Sequence, residues 1–297
     1  MAKKKTSDKH VGHAELPVPK GKLLAIGGKE DKGIAELKEE QKRNTDFEKE
    51  AILKRFVEEL SGNDPLVLVV PTASTIPEDV GKEYVAVFKK LGVKQVEVLD
   101  IRCREDANKQ EYYDLVGKAA GILFSGGDQL RLTSIFGGTR VLEFMKERYT
   151  YDNIIIAGTS AGAAALSTPM IYEGETVGGY IKGDVRITTG LEFLKNIAID
   201  THFIQRGRIV RMAQAIATNP GCIGIGLEED TAIYVTEGKN VEVIGSGLIT
   251  IVDGLDISET NIYEIKTGEA FSVSNLKVHL LSCGKRYIIP TYDQLHL

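Results

Sequence analysis

The chain has 297 residues, of which 42% are hydrophobic and 27% are charged, so its composition is that of an ordinary globular protein. These values exclude a disordered chain, a coiled-coil rod and a small protein held together by disulfide bonds. The 37 lysine and arginine residues and 42 acidic residues give a net charge of −5, which disfavours general binding to nucleic acid.

Cysteine content and hydropathy bear on where the protein resides. An odd and sparse set of 3 cysteines predicts no disulfide framework and fits a reducing compartment. The longest apolar runs, residues 65–71 and 154–157, are far shorter than the roughly 20 residues that cross a bilayer. We therefore expect a cytoplasmic protein that has no membrane association, with residues 1–20 as a basic, flexible tail.

Short apolar runs alternate with amphipathic segments along the first two thirds of the chain. The apolar runs predict strands at residues 22–27, 65–70, 95–101, 121–125, 153–158, 222–227 and 231–235. The amphipathic segments predict helices at residues 46–60, 77–90, 105–119 and 208–217. Because most of these strands are apolar without alternation, we expect a mostly parallel sheet covered on both faces, in a doubly wound α/β fold.

The last third of the chain has a different pattern. Short alternating strands are predicted at residues 241–252, 261–265, 270–273, 278–282 and 286–289. We interpret them as an antiparallel, β-rich C-terminal extension of the same sheet. Because no internal repeat or long linker divides the chain, residues 21–297 are predicted to form a single α/β domain.

Residues 158–162 (GTSAG) match the G-x-S-x-G pattern of a nucleophile elbow. The pattern lies between a predicted buried strand and a run of small helix-forming residues, as the motif requires. Ser160 is therefore a candidate nucleophile, and the backbone N–H of Ala161 is a candidate donor to an oxyanion. Gly126 or Gly127, at the end of another predicted strand, would supply a second donor. The alternative interpretation is a glycine-flanked turn with an ordinary serine cap.

One histidine is placed to act as the base for Ser160. His202 follows the apolar stretch 194–198 and precedes a predicted helix, so it is expected in a loop at a strand end. The remaining histidines lie near the chain termini or in a predicted strand: His10, His13, His296 and His279. A nucleophilic serine requires such a base, which favours His202.

Spacing leaves the carboxylate that would orient His202 undecided. The candidates share a position in a predicted loop or at a strand end: Glu173, Glu175, Asp200, Glu228, Glu229 and Asp230. The pair Glu228 and Glu229 ends a predicted buried strand and so belongs to the same edge as Ser160. The residues alone do not choose among the six.

Three arginines follow the candidate base within residues 206–211 (RGRIVR). Arg208 and Arg211 are three positions apart, so they share one face of the helix that begins there. Because arginine suits bidentate binding of carboxylates, the run suggests an acidic substrate. A solvated helix face is the alternative.

Five motifs, in the same order and at similar spacing, resemble those of the cyanophycinases. They are residues 124–129 (FSGGDQ), 158–162 (GTSAG), 200–203 (DTHF), 206–211 (RGRIVR) and 226–232 (GLEEDTA). Cyanophycinases are serine exopeptidases of the superfamily that includes the aspartyl dipeptidase peptidase E. The resemblance extends from about residue 22 to the C-terminus. It implies a sheet like that of the class I glutamine amidotransferases, with serine in place of their cysteine.

The resemblance also implies roles for individual residues. It gives a Ser-His-Glu triad of Ser160, His202 and Glu229, and so selects one carboxylate. The implied substrate-binding residues are Gln129, Asp200, Thr201, Arg206, Arg208 and Arg211. At Thr201 the sequence departs from the glutamine of cyanobacterial members, which affects fine substrate contacts and not the chemistry.

The substrate that the resemblance implies is cyanophycin, a poly-aspartate chain with arginine on each β-carboxyl group, released as β-Asp-Arg dipeptides. It also implies a homodimer and no cofactor, and no cluster in the sequence has metal-ligand spacing. Two alternatives remain open. One is a serine exopeptidase that acts on other aspartyl or isoaspartyl peptides, and the other is a non-catalytic binding protein on an amidotransferase-like scaffold.

Overall fold

The computed structural model describes residues 17–290 except for 35, 38, 46 and 175–177. Its strands, in chain order, are β1 (Lys22–Ile26), β2 (Leu66–Val70), β3 (Gln95–Val98), β4 (Ala119–Phe124), β5 (Ile155–Thr159), β6 (Ser167–Thr168), β7 (Met170–Glu173), β8 (Arg186–Thr188), β9 (Leu194–Lys195), β10 (Ile197–Thr201), β11 (Ile223–Leu227), β12 (Thr231–Thr236), β13 (Asn240–Gly245), β14 (Leu248–Asp253), β15 (Glu259–Thr260), β16 (Val273–Ser274), β17 (Lys277–Ser282) and β18 (Arg286–Ile288). The α-helices are α1 (Glu39–Arg43), α2 (Ala51–Glu58), α3 (Pro77–Lys90), α4 (Gln110–Lys118), α5 (Gln129–Phe136), α6 (Arg140–Tyr151), α7 (Ala161–Ala165) and α8 (Ile209–Thr218).

The larger sheet has eight strands in the order β18-β13-β12-β1-β5-β4-β2-β3. The five strands from β1 to β3 in this order are parallel, and β12, β13 and β18 continue the sheet with antiparallel pairing. Every residue of β2, β4 and β5 is buried, because helices cover both faces of this sheet. The predicted α/β fold with a mostly parallel sheet is confirmed.

A second sheet has six strands in the order β17-β14-β11-β10-β6-β9. Here the structure differs from the prediction of one continuous sheet, since β13 and β18 extend the larger sheet while β14 and β17 pair into the second. The predicted strand at residues 261–265 is absent, and the short β15 precedes it. A buried apolar run has the same pattern in either sheet, so the pattern gives no information about which sheet a strand joins.

The helices agree with the prediction at α3 and α8 and differ elsewhere. The predicted helix at residues 46–60 is shorter, as α2, and residue 46 lies outside the described residues. The predicted helix at 105–119 is divided into a 3₁₀ turn, Asp106–Asn108, and α4, because Lys109 between them has an extended backbone. Helices α5 and α6 were not predicted. None of the helices in the described ranges has the length and apolar character that a membrane span requires.

Side chains on the two faces of the larger sheet enter separate apolar cores. On β1, Leu24 packs with the side of the sheet that α2 and α3 cover, and Leu23 packs on the opposite side. This alternation fixes the register of β1 against β5, which places Ile26 opposite Thr159. The carboxyl ends of the parallel strands therefore meet at one edge. The predicted tail lies almost wholly outside the described residues, and the single-domain organisation stays a prediction.

Candidate active site

The carboxyl ends of β1, β4 and β5 lie side by side at one edge of the larger sheet. Phe124 pairs with Gly158, and Ile26 pairs with Thr159. In an open α/β sheet, ligands bind beyond this edge of the strands. The residues that follow these strands are therefore candidates for a functional site.

Ser160 forms a sharp turn between β5 and α7. Its backbone angles, φ 50 and ψ −112, lie where residues with a side chain are rarely found. Two glycines make the turn possible: a Cβ at Gly158 would collide with the backbone of Gly162, and a Cβ at Gly162 would collide with the carbonyl of Phe124. The strand, turn and helix predicted around the serine are therefore present, with a strained residue at the turn.

His202 lies against Ser160 from the second sheet. Its Nε2 is 3.0 Å from Ser160 Oγ, and its Nδ1 is 2.9 Å from Glu229 Oε1. It directly follows β10 with φ 51, and its N–H donates to the Gly27 carbonyl at 3.2 Å. A Cβ at Gly28 would lie 2.6 Å from the histidine ring, so glycine is required there. With Nδ1–H donating to the carboxylate, Nε2 can accept the serine proton.

Two adjacent glutamates after β11 point to different partners. Glu229 contacts His202, whereas Glu228 Oε1 accepts the N–H of Ile204 at 2.9 Å. Burial raises the pKa of Glu228, although the hydrogen bond from Ile204 opposes this effect. Spacing does not distinguish Glu228 from Glu229 as the partner of His202, whereas the directions of their side chains do.

The charge state of His202 depends on burial and on its charged neighbours. Burial lowers the pKa of His202, the hydrogen bond with Glu229 raises it, and the charges of Arg206 and Lys29 lower it. The net direction is downward, so the ring is neutral at pH 7 and can accept a proton. Lys29 Nζ lies 2.7 Å from Glu229 Oε1. Lys29 was not predicted as a site residue, because its position in the sequence carries no signal of its pairing with Glu229.

The loop after β4 lies beside the serine. A Cβ at Gly126 would be 3.4 Å from Ser160 Cβ and 4.0 Å from its Oγ. Gly127 has φ +141, and a Cβ there would collide with the Ala73 carbonyl, so Gly127 approaches other backbone closely. Ala161 follows the serine and is 4% exposed. Ala161 and Gly126 therefore lie beside the serine, and the donor roles of Ala161 and Gly127 stay predictions.

Asp200 and two arginines form a separate buried group next to His202. Arg211 Nε lies 2.6 Å from Asp200 Oδ2, and its Nη2 lies 2.5 Å from Oδ1. Arg208 Nη1 lies 2.8 Å from Asp200 Oδ1 and donates to the Thr201 carbonyl at 2.7 Å. Asp200 and Arg211 are both buried. The guanidinium groups of Arg208 and Arg211 thus bond to Asp200 within the protein, while Arg206 is exposed.

The other predicted residues have different surroundings. Gln129 Nε2 donates to the carbonyls of Ile171 and Tyr172, and Asp128 caps α5 by accepting the Leu130 N–H. Two competing carboxylates point elsewhere, since Glu173 pairs with Arg186 and Asp230 bonds Ser246, and Glu175 lies outside the described residues. Across the part of the chain that is described, no group of three or more histidine, cysteine and acidic residues could hold a metal ion.

A strained serine beyond a parallel sheet, at hydrogen-bonding distance from a neutral histidine, defines a hydrolase of the serine class. Comparisons with known proteins agree. Peptidase family S51 matches residues 41–243. A cyanophycinase from Synechococcus elongatus is 34% identical over 98% of this chain and 84% of its own length, and one from Geminocystis herdmanii is 33% identical over 92% and 95%. The chain belongs to peptidase family S51 and is a serine peptidase, so the predicted family resemblance is confirmed.

A solved structure supports the fold. The crystal structure of a peptidase from an acI-B1 actinobacterium superposes with a TM-score of 0.64, covering 91% of this chain and 97% of its own. The two sequences are 23% identical. At this identity the likeness concerns the fold alone.

Proposed function

We propose that this serine peptidase hydrolyses cyanophycin to β-Asp-Arg dipeptides through a triad of Ser160, His202 and Glu229. The observation that carries the proposal is the continuous hydrogen-bond chain from Ser160 Oγ through the His202 ring to Glu229 Oε1. The substrate is inferred from the cyanophycinases that match most of this chain. We further propose that the enzyme acts as a cytoplasmic homodimer.

The first step is acylation of the serine. His202 Nε2 takes the Ser160 proton as the hydroxyl oxygen attacks the carbonyl carbon of an aspartyl backbone bond. Glu229 holds the ring in the required tautomer and stabilises the imidazolium. The Ala161 N–H and an N–H of the loop at Gly127 stabilise the oxyanion. His202 then returns its proton to the amine that leaves.

The second step is hydrolysis of the acyl-enzyme. Water enters after the amine departs, and His202 takes one of its protons as the oxygen attacks the ester carbon. Collapse of the tetrahedral intermediate returns this proton to Ser160 Oγ and releases the acyl fragment as a carboxylate. No step requires a metal ion or a cofactor.

Substrate recognition is assigned to the charged groups around His202. Each unit of cyanophycin carries a carboxylate and a guanidinium group, so its site needs charges of both signs. Arg206 is exposed beside His202 and suits the carboxylate. Gln129, Asp200, Thr201, Arg208 and Arg211 complete the proposed substrate-binding set. The buried pairs of Asp200 with Arg208 and Arg211 indicate that these three act by shaping the wall of the site.

The test is incubation of the protein with insoluble cyanophycin and identification of the soluble product by mass. We expect β-Asp-Arg, and labelling of Ser160 by a fluorophosphonate. Ser160→Ala should abolish labelling and lower the rate by about 10⁴-fold or more while the protein stays folded. Near-normal turnover by the folded variant would contradict the acyl-enzyme mechanism. Cleavage of aspartyl dipeptides without cleavage of cyanophycin would instead favour the alternative exopeptidase.

A further inference from the structure

A buried carboxylate lies beneath the serine turn, and the mechanism above does not use it. Glu30, in the loop after β1, is 5% exposed. Its Oε2 accepts the hydroxyl of Thr159 at 2.7 Å, and its Oε1 accepts the hydroxyl of Tyr84. Thr159 directly precedes Ser160, so the carboxylate bonds the side chain of the residue next to the nucleophile.

Burial of this carboxylate is costly unless its oxygens are bonded. A carboxylate removed from water without partners loses several kcal/mol of hydration, in order of magnitude. Here both oxygens have a hydroxyl donor, and Lys32 Nζ lies 3.8 Å from Oε1. The same ammonium lies 4.1 Å from the centre of the Tyr84 ring. The contacts join the loop after β1 to the end of β5 and to α3.

The donors to Glu30 do not change with pH in the working range. Burial and the adjacent carboxylate raise the pKa of Tyr84 well above its ordinary value, so its hydroxyl keeps its proton. A threonine hydroxyl does not titrate. The two hydroxyl donors therefore keep their protons, and their hydrogen bonds constrain the geometry of the loop and the strand end.

The serine turn needs such a constraint. A strained residue keeps its conformation only when the surrounding structure holds it there. Two backbone bonds contribute: the Ser160 N–H donates to the Ile26 carbonyl at 2.9 Å, and the Ser160 carbonyl accepts the Ala164 N–H at 3.0 Å. Neither of these bonds holds the side chain of Thr159, the residue that leads into the turn. Because side chains alternate along β5, Thr159 faces the helices α2 and α3, where Glu30 meets it.

We propose that Glu30 is a positioning residue, which holds Thr159 and thereby keeps Ser160 Oγ within proton-transfer distance of His202 Nε2. The proposal rests on the proposed role of Ser160 as the nucleophile. Small displacements of a nucleophile carry a large rate penalty, since a misplacement of about 1 Å can cost on the order of 100-fold. The hydrogen bond from Thr159 to Glu30 therefore affects kcat more than substrate binding.

The test removes the donor at Thr159 and keeps the shape. Thr159→Val should lower kcat on soluble cyanophycin fragments, and the rate of fluorophosphonate labelling at Ser160, by about 10-fold, because the serine is held less firmly. KM should change by less than about 2-fold, since no substrate contact is lost. Thr159→Ser restores the hydroxyl and should recover most of the rate. Glu30→Gln keeps an acceptor for Thr159 and should lose less rate than Thr159→Val.

A matched variant separates positioning from loss of stability. Thr139 is equally buried, donates to the Phe136 carbonyl at 2.7 Å and caps α6, a helix that takes no part in the proposed chemistry. Thr139→Val should lower the free energy of unfolding and leave kcat unchanged. Equal kcat and labelling in Thr159→Val and wild type would overturn the positioning role alone. A wild type that neither labels nor cleaves would overturn the proposed function and, with it, this inference.

Discussion

Two carboxylates near the ends of neighbouring strands are mostly shielded from water, with side chains 3% and 10% exposed, and have different partners. Asp200 is the residue before the last in β10 and Glu229 lies just after β11, and the two strands are parallel neighbours in the second sheet. Asp200 accepts two hydrogen bonds from Arg211 and one from Arg208. Glu229 accepts one from His202 and pairs with the exposed Lys29. Burial alone therefore does not tell which carboxylate serves chemistry.

The difference lies in whether the partner can release its proton. A guanidinium group stays charged at every working pH, so the group around Asp200 has a fixed charge. Burial lowers the pKa of His202, so that ring is neutral at pH 7 and becomes charged only when it accepts a proton. Glu229 thus pairs with a group whose charge changes during the proposed reaction. We therefore expect a substitution of Glu229 to lower the reaction rate and a substitution of Asp200 to lower the stability of the fold.

Glu229→Gln should have the largest effect on rate. The amide cannot stabilise the imidazolium and permits the wrong tautomer, so we expect kcat to fall about 10³- to 10⁴-fold, as in other triads. The free energy of unfolding should change little. Glu228→Gln is the matched control, because that neighbour bonds the Ile204 N–H and should keep kcat within about 3-fold of wild type. Equal losses in both variants would contradict the assignment of Glu229.

Asp200→Asn should chiefly affect stability. The neutral amide leaves the buried guanidinium of Arg211 and the partly buried one of Arg208 without a counter-charge, so urea unfolding should show a loss of about 3 kcal/mol. Asp152→Asn is the matched control. The Asp152 side chain is half exposed and pairs with Arg148, so its loss should lower the free energy of unfolding by less than about 1 kcal/mol. If the two variants are equally stable, the ion pairs of Asp200 contribute no more to folding than an exposed ion pair does.

The sequence predicts those features of the fold and the site that depend on local patterns of residues. The apolar runs predict most of the strands, and the elbow motif predicts the turn at Ser160. Position after a strand is also enough to place His202 in a loop at a strand end. The catalytic roles of these residues stay predictions.

The remaining features depend on tertiary structure, which a local pattern does not encode. Glu228 and Glu229 are adjacent in sequence, and only the path of the turn after β11 sends them to different partners. The helical spacing of Arg208 and Arg211 places them on one face, but not against Asp200. Likewise, Glu30 and Tyr84 are 54 positions apart in the chain.

Arg206→Gln should affect substrate binding more than chemistry. The exposed guanidinium is proposed to bind a substrate carboxylate, so we expect KM to rise about 10-fold at pH 8 with kcat changed less than 3-fold. Arg140→Gln removes an arginine on α6 that stacks on Tyr113, and should leave KM unchanged. An unchanged KM in Arg206→Gln would show that the substrate carboxylate binds a cationic side chain other than Arg206.

Lys29→Met should produce the smallest effect, a shift in the pH dependence of kcat/KM. The rate falls at low pH as His202 becomes protonated. The charge of Lys29 disfavours the imidazolium, so its removal should raise the pKa of His202 and move the acidic limb to higher pH. Because the Lys29 side chain is 64% exposed, water and salt screen its charge, and we expect only a small shift of the acidic limb.

Lys29→Arg separates charge from shape in this comparison. It keeps a cation beside Glu229 and should retain the wild-type pH profile, whereas Lys29→Met should move the acidic limb to higher pH. The difference between Lys29→Met and wild type should also shrink in 0.5 M salt, where the Debye length is about 4 Å. Glu229 and Arg206, which also act on the pKa of His202, remain in all three proteins. A limb that moves to lower pH, or an identical shift in Lys29→Arg, would show that the lysine does not act through its charge.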